Sequence, residues 1–471
     1  MKGRVYLLIL LVMLGGSGAA SAATLDGARL TWPWAMPFIG ILGSIAAGPL
    51  LFPKVWHDHY GKIAFTWAAL TLGCLAIFHG VPAALAAVVQ SMFREYLSFI
   101  LLLFALYTVA GGILVTGQIQ ATPWTNGGVL ALGTALASVI GTTGAAMVLI
   151  RPMIRANESR SRKTHVIIFF IILVANVGGA LTPLGDPPLF IGYLHGISFF
   201  WPARNLWLQT LIVSGLTLAI FLAVDAWQFS RDTQPTKAAE RIGIRGQINF
   251  LLIAVVIGAM LASAAWQPGV AFEVYGSRFE LQNLARDGVL ISVAVVSLWL
   301  TPDEHRAANG FSWEPIREVA ILFAGIFATV IPVEAILSAG SGGAFAFLLQ
   351  AVTSPEGHPH EAAYFWLTGS LSAFLDNAPT YLVFFELAGA DAKELMGPLS
   401  GTLASISMGA VYMGALTYIG NAPNFMVYAV AEENGIRMPN FFGYTFWAAA
   451  ILVPLFALLT LLPISPLLKL P

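Results

Sequence analysis

Long apolar segments alternate with short polar loops along almost the whole chain. Most of the segments reach the roughly 20 residues that an α-helix needs to cross the hydrocarbon core of a bilayer. The pattern therefore predicts an all-α polytopic membrane protein, with a short interfacial helix at residues 81–92. The predicted spans are residues 35–52, 62–80, 97–116, 165–194, 205–227, 247–265, 287–300, 317–338, 396–434 and 443–466.

Two further apolar segments carry a polar, helix-breaking centre. Residues 128–155 contain Gly-Thr-Thr-Gly at 141–144, and residues 345–388 contain Asp-Asn-Ala-Pro-Thr at 376–380. Irregular backbone at membrane depth is tolerated only where it is buried in protein or lines a water-filled cavity. Each segment is therefore predicted to form a re-entrant helical hairpin that enters and leaves the membrane on one side.

One twelve-residue phrase occurs twice along the chain. It reads Gly-Ala-Leu-Thr-Pro-Leu-Gly-Asp-Pro-Pro-Leu-Phe at residues 179–190 and Gly-Ala-Leu-Thr-Tyr-Ile-Gly-Asn-Ala-Pro-Asn-Phe at residues 414–425, an offset of 235 with seven identities. Pro183, Pro187 and Pro188 remove backbone donors, so the helix that contains them must open. The phrase predicts two structural repeats, each with a hairpin followed by a broken transmembrane helix.

The distribution of positive charge predicts how these repeats are oriented. With residue 24 outside, Lys and Arg in the loops predicted to face the cytoplasm outnumber those outside by about two to one, as the positive-inside rule requires. The helix at 97–116 then runs inward, whereas its counterpart at 317–338 runs outward. The repeats are therefore predicted to be inverted, an arrangement that secondary transporters use to place a site near the membrane midplane.

The chain divides into six predicted regions. Residues 1–23 have the charged start, apolar run and small residues of a signal peptide that is cleaved after Ala22 or Ala23, although an uncleaved first helix is the alternative. The other regions are N-terminal helices at 24–94, a first transport repeat at 95–227, a cytoplasmic linker at 228–246, connecting helices at 247–316 and a second, inverted transport repeat at 317–466.

Composition removes several classes of protein from consideration. Hydrophobic residues make up 58% of the chain and charged residues 10%, against about 25% charged residues in soluble domains. A net charge of −1 leaves no basic tract for nucleic acid, so no nucleic-acid partner is expected. The single cysteine, Cys74, excludes an internal disulfide.

The candidate site is centred on Asp186 and Asp376, the acids that hydropathy places deepest. A charge at membrane depth is costly unless it is paired or faces a water-filled cavity. Oxygen donors suit hard cations, so a Na⁺ site at these two acids is predicted. For each neutral side chain a local backbone bond is the alternative, and Asp376 could instead cap a helix. The neutral candidates are Thr142, Thr143, Asn176, Thr182, Asn377, Thr380, Thr417, Asn421 and Asn424.

The charge of these motifs favours a cation as the transported species. No Lys or Arg lies within the two hairpin centres or the two repeated phrases, so an organic anion would meet two negative charges. A buried carboxylate that binds either H⁺ or Na⁺ could exchange the two ions, with no cofactor beyond the transported ions. Glu334, just after Pro332, is a proton-coupling candidate, whereas Asp225 and Glu386 lie nearer predicted helix ends and are predicted to be interfacial.

The paired hairpins and the phrases Thr-Pro-Leu-Gly-Asp-Pro-Pro and Thr-Tyr-Ile-Gly-Asn-Ala-Pro-Asn resemble the ion transporter superfamily. That superfamily includes sodium:proton antiporters of the NhaD type, arsenite permeases, citrate transporters and divalent anion/sodium symporters. With Trp-His-Asp-His-Tyr-Gly-Lys at 56–62, the chain is most similar to the bacterial sodium:proton antiporter and citrate transporter group. The resemblance implies a scaffold with a moving transport unit, often in a homodimer. The symporters' Ser-Asn-Thr tips are replaced here by Gly-Thr-Thr and Asp-Asn-Ala-Pro-Thr.

The sequence thus predicts a multi-pass transporter of the bacterial inner (cytoplasmic) membrane, surrounded by lipids, that exchanges Na⁺ for H⁺ by alternating access. Cation-coupled transport of citrate or another small organic carboxylate is the alternative. A third possibility is an intramembrane aspartyl protease built on Asp186 and Asp376. Its expected Gly-x-Gly-Asp is absent because Pro183 stands at the first glycine, so the chain is predicted not to be an enzyme.

Overall fold

The computed structural model describes residues 25–232, 240–354 and 356–461. The predicted signal peptide at residues 1–23 lies outside the described residues, as does part of the predicted linker at 228–246. The described chain is almost entirely helical. Its first-half helices are α1 (Met36–Leu51), α2 (Pro53–His79), α3 (Val81–Val88), α4 (Leu97–Gly111), α5 (Pro123–Ile140), α6 (Thr142–Ala156), α7 (Thr164–Leu173), α8 (Pro187–Leu194) and α9 (Trp201–Phe229).

The second half begins after the linker and repeats much of this order. Two short antiparallel strand pairs accompany it: β1 (Leu114–Thr116) with β2 (Gly243–Arg245), and β3 (Ala271–Val274) with β4 (Ser277–Glu280). Its helices are α10 (Ile248–Ala265), α11 (Leu281–Leu300), α12 (Asp303–Ala308), α13 (Glu314–Ser338), α14 (Ala346–Ala351), α15 (Glu361–Phe374), α16 (Asn377–Leu387), α17 (Ala392–Met396), α18 (Ser400–Met413), α19 (Ala422–Glu433) and α20 (Phe441–Leu461).

Nine helices within the described ranges are long and apolar enough to cross a membrane. One of them, Val81–Gly111, joins α3 and α4 through the π-helical segment Val89–Tyr96. The prediction of a separate interfacial helix at residues 81–92 is therefore wrong. No Gly or Pro interrupts residues 83–110, so nothing in the sequence ends the helix there.

The predicted all-α fold with inverted repeats is confirmed. The hairpin α5–α6 corresponds to the hairpin α15–α16, and the broken helix α7–α8 corresponds to α18–α19. The helices of each hairpin pack against each other. In the first hairpin the chain turns at Gly141, whose φ of +81° suits glycine best. The scaffold against which these units pack includes α4 and α13, with α2 lying along α13 and α11 along α4.

Both broken helices are braced by the same pair of contacts. Thr182 donates a hydrogen bond from Oγ1 to the Ser138 carbonyl, and Thr417 donates one to the Ala373 carbonyl at 2.5 Å. Donors and acceptors in the two repeats are each separated by 235 residues, the offset of the repeated phrase. The bonds hold each opened segment against the first helix of its own hairpin, so hairpin and break form one unit.

Each break also folds back on itself at a glycine. A Cβ at Gly185 would lie 2.1 Å from the Gly179 carbonyl oxygen, and one at Gly420 would lie 2.6 Å from the Gly414 carbonyl oxygen. Such separations are far below van der Waals contact. The glycines of the phrase are therefore required by a backbone-to-backbone approach in both repeats.

Gly185→Ala is expected to lower the thermal stability of the protein, because the added methyl group must push the two backbone segments apart. Stability can be followed by intrinsic fluorescence of the purified protein during heating in detergent. Gly215→Ala in α9 is the matched control, since a Cβ at Gly215 meets no atom within 4 Å. Equal unfolding temperatures for the two variants would contradict the close approach.

Candidate functional site

The site is built around Asp186, which stands at the N-cap position of α8 and is only 1% exposed. An N-cap side chain ordinarily accepts a bond from an amide in the first helical turn. Here Pro187 and Pro188 occupy the first two helical positions and offer no N–H, and the Leu189 amide bonds the Asp186 main-chain oxygen instead. The carboxylate makes no capping bond and is available for contacts elsewhere.

Three side chains donate hydrogen bonds to this carboxylate. Thr142 Oγ1 lies 3.1 Å from Oδ1, Asn421 Nδ2 lies 3.0 Å from the same oxygen, and Asn377 Nδ2 lies 2.5 Å from Oδ2. Thr142 and Asn377 are the first residues of α6 and α16, and Asp186 and Asn421 are the N-cap residues of α8 and α19. Each pair is related by the offset of 235, so the pseudo-symmetric repeats meet at the carboxylate.

Four helix N-termini therefore converge on one point. The N-terminus of a helix carries a partial positive charge and free N–H groups. These dipoles stabilise the ionised form of a carboxylate at the site. They supply positive potential without a cationic side chain, as broken helices do in secondary transporters.

A cavity of about 70 Å³ adjoins Asp186 and is lined by Asp376 and Thr143 as well. Asp376 caps α16 by accepting a 3.1 Å bond from the Ala378 amide. Asn377 is fully buried, and its Oδ1 has no hydrogen-bond partner among the described residues. No Lys, Arg or His is among the described residues that line this cavity. The cavity thus offers two carboxylates, and the unpartnered amide oxygen belongs to the residue that donates to one of them and follows the other in the chain. Oxygen donors of these kinds suit a hard cation.

The other predicted residues lie behind these groups. Asn421 Nδ2 also lies 3.3 Å from Asn176 Oδ1, and Asn176 donates a 2.7 Å bond to Asn424. Asn424 in turn donates to the main-chain oxygens of Gly414 and Thr417. These three asparagines tie α7 to the opened segment of the second repeat. The described hydrogen bonds make Asn176 and Asn424 positioning groups for Asn421.

Three of the four remaining threonines bond the backbone. Thr182 and Thr417 brace the two breaks as described above, and Thr380 donates to the Asp376 carbonyl one turn earlier in α16. These contacts fit the alternative predicted for each neutral side chain, a hydrogen bond to the local backbone in place of ion binding. Thr143 alone lines the cavity without such a bond being described.

Asp225, which its position near a helix end predicted to be interfacial, is completely buried within the protein. It forms an ion pair with Arg160 at 2.6 Å and lies 2.8 Å from His165 Nε2, while Asn126 donates to it at 3.0 Å. The partners come from α5, α7 and the loop after α6. Hydropathy could not show this network because it depends on how α9 packs on the first hairpin.

Glu334 and Glu386 lie away from the central cavity, in a larger cavity of about 2250 Å³ that we call the vestibule. Glu386, also predicted to be interfacial, is 9% exposed and accepts a 3.0 Å bond from Ser338. Glu95 lines the vestibule too. Sequence reasoning did not single it out, although an acid inside the apolar segment 81–111 was a usable signal.

A cluster of aromatic rings separates the vestibule from the central cavity. Phe99 stacks on Phe323 at 4.8 Å between centroids and also contacts Phe190 at 6.2 Å and Phe327 at 5.8 Å. Phe190 and Phe323 line the central cavity, and Tyr193, stacked on Phe190, lines the vestibule. The two cavities are therefore neighbours with an aromatic barrier between them.

The inverted repeats, with paired hairpins and broken helices that meet at a buried polar site, define a polytopic membrane transporter. The chain belongs to the family described as "Putative citrate transport", whose family model matches residues 27–464. Two relatives, an uncharacterized transporter of Mycobacterium bovis and one of Mycobacterium tuberculosis, are each 26% identical over 320 residues. The alignments cover 65% of this chain and 69% of each relative.

Proposed function

We propose that this protein exchanges Na⁺ for H⁺ across the bacterial inner membrane as a secondary transporter. The observation that carries the proposal is the unpartnered Oδ1 of buried Asn377, whose amide nitrogen donates to Asp186 and which directly follows Asp376 in the chain. A buried amide oxygen without a donor is costly, and a bound cation would satisfy it. Na⁺ is the substrate at this site, and the proton competes with it for Asp186.

The exchange follows from the two protonation states of Asp186. When ionised, its oxygens accept the three bonds from Thr142, Asn377 and Asn421 and attract a cation. When protonated, the carboxyl is neutral, so that attraction is lost and Na⁺ leaves. If the repeats move against the scaffold between the two states, each ion is released on the opposite face. The same proposal includes surrounding lipids and a homodimeric partner, as the superfamily resemblance implies.

A second candidate is cation-coupled transport of citrate or another small carboxylate. The family description favours it, and so do the four helix N-termini, because broken helices can hold anionic substrates in this way. The cavity of about 70 Å³ is small, since pockets for small organic ligands commonly have volumes of about 300–1,000 Å³. A citrate ion would also meet two carboxylates without a cationic side chain among the described lining residues.

The two candidates are separated by one assay in proteoliposomes that contain an internal pH dye. An imposed Na⁺ gradient is expected to drive protons in the opposite direction without any organic anion. External citrate should leave the initial rate unchanged. Silence with Na⁺ alone, followed by proton movement once citrate is added, would replace exchange by citrate transport.

Asn377→Thr tests the ligand set. The variant places at position 377 the residue that occupies the related position 142, so a hydroxyl can still donate to Asp186 while the amide oxygen is lost. The Na⁺ concentration for half-maximal exchange is expected to rise about tenfold, corresponding to roughly 1.4 kcal/mol, with the maximal rate largely kept. Asn283→Thr, at a residue that lines the vestibule and not the central cavity, provides a control. An unchanged Na⁺ dependence in Asn377→Thr would count against ligation.

A further inference from the structure

The vestibule carries acidic groups that the central site does not use. Glu95 comes from the π-helical segment, Glu334 from α13 and Glu386 from α16, and all three line this cavity. They lie close enough for their charges to interact. Three carboxylates that gather where helices pack repel one another unless protons or cations are shared among them.

Two of these acids have a carboxylate oxygen that accepts no hydrogen bond from the described residues. Glu95 is only 9% exposed, and its Oε2 has no hydrogen-bond partner among the described residues. The buried Oε1 of Glu334 likewise has none within the described chain. Glu95 stands in eight residues of π-helix, a geometry that is rare and concentrated at functional sites. The unsatisfied oxygens indicate a ligand that the protein itself does not supply.

The vestibule is linked to the central site by two short helices. Helix α8 starts after Asp186 and ends at His195, and α16 starts after Asp376 and carries Glu386 in its last turn. The two helices pack against each other. Each central acid is therefore joined rigidly to one titratable group of the vestibule.

His195 has an atom suited to accept a proton. Its Nδ1 lies 2.9 Å from the Ile191 carbonyl oxygen, which can only accept, so Nδ1 carries the hydrogen. Nε2 is then the basic nitrogen of the neutral ring. The ring packs edge-on against Phe385, one residue before Glu386. His195 thus stands between the end of α8 and the acidic group on α16.

We propose that Glu95, Glu334, Glu386 and His195 form a proton-loading site, which takes protons from the vestibule and passes them to the central carboxylates when the aromatic barrier opens. The inference rests on the proposed exchange of Na⁺ for H⁺. A proton passes from water to a carboxylate oxygen or to His195 Nε2, and then to an oxygen of Asp186. Within the described residues, no group of three or more His, Cys, Asp or Glu is placed to hold a metal ion, which favours a proton as ligand.

Neighbouring charges modulate this site without neutralising it. Arg94 adjoins Glu95, while on α11 the guanidinium of Arg286 is paired at 2.9 Å with Asp287. Glu273 and Arg278 face each other across the β3–β4 hairpin, and Glu280 accepts a bond from Gln282. Arg94 is therefore the cation next to the cluster, with three carboxylates to balance.

Exchange measured against pH tests the proposal with the conservative variants Glu334→Gln and Glu95→Gln. Each is expected to slow exchange about tenfold near pH 8, where protons are scarce, and to recover near pH 6, because general acid–base groups matter most when the proton supply limits the rate. The Na⁺ concentration for half-maximal exchange should stay unchanged. Glu273→Gln, at an exposed acid of the same vestibule, should behave like the native protein.

A uniform loss at every pH, or a pH profile identical to that of the native protein, would overturn the loading site while leaving Na⁺/H⁺ exchange intact. Should the native protein show no exchange, labelling with a hydrophobic carbodiimide, which modifies protonated buried carboxyl groups, decides the matter separately. Modification of Glu95, Glu334 or Glu386 that falls as the pH is raised from 6 to 8 supports the site. An absence of adducts on all three peptides overturns it.

Discussion

Asp186→Asn is expected to abolish Na⁺-driven proton movement in proteoliposomes. The carboxylate is the group that three donors from both repeats surround. An amide in its place can neither bind a proton at neutral pH nor supply the negative charge that attracts the cation. A loss of about 100-fold or more in initial rate is expected, as for a group that makes the reaction possible rather than merely assisting it. The measurement is the rate of internal pH change after an Na⁺ jump.

The variant should remain folded, because the substitution removes a buried charge. Equal elution on size-exclusion chromatography and an unfolding temperature close to the native value would establish this. Asp58→Asn, at an exposed acid of α2, is the matched control and should exchange at the native rate. Persistent exchange in folded Asp186→Asn would remove Asp186 from the mechanism and leave Asp376 as the central acid.

Asp225→Leu is expected to cause the largest loss of stability. Arg160 and His165 are buried and both contact the Asp225 carboxylate. Among the described residues, removal of this acid leaves the buried Arg160 guanidinium with only the longer ion pair to Asp232, at 3.9 Å. Breaking one side of a buried ion pair costs about 3–5 kcal/mol. The unfolding temperature of the purified protein in detergent should fall accordingly, and the fully reconstituted protein should lose activity on mild heating.

The double variant Arg160→Met/Asp225→Leu is expected to regain much of this stability, since both charges are then absent. Asp303→Asn, at an exposed acid of α12, should unfold like the native protein. If Asp225→Leu unfolded at the native temperature, the ion pair would contribute nothing measurable to the stability of the fold. If the double variant were no better than the single one, the loss would come from packing instead of from charge.

The repeated phrase carried most of the information about the fold. Proline at 183, 187 and 188 forces a break because each lacks an amide hydrogen, and this local effect needs no tertiary contact. The hairpin tips could also be predicted from local sequence, from glycine at 141, which tolerates a positive φ, and from proline at 379 within apolar sequence. The prediction of an interfacial helix at 81–92 was wrong because the segment is short only when considered by itself, whereas the backbone continues through Val89–Tyr96 as a π-helix into α4.

The candidate site was predictable as a set of residue types but not as a geometry. The sequence indicated that Asp186 needed partners, and it named Thr142, Asn377 and Asn421 together with six other neutral side chains. Only packing shows that these three reach the carboxylate, whereas Thr182, Thr380 and Thr417 bond the backbone. A threonine at a helix break has the same sequence signature in either role.

By itself, the sequence determined that the chain is a helical membrane protein with two inverted halves, because hydropathy, proline and charge bias act locally or relative to the bilayer. The tertiary structure decided which groups share a cavity. It buried Asp225 with Arg160, placed Glu334 with Glu95 and Glu386 in the vestibule, and brought Asn377 from a hairpin 191 residues away onto Asp186. Such contacts join segments far apart in the chain, and they arise from helix packing that no local pattern encodes.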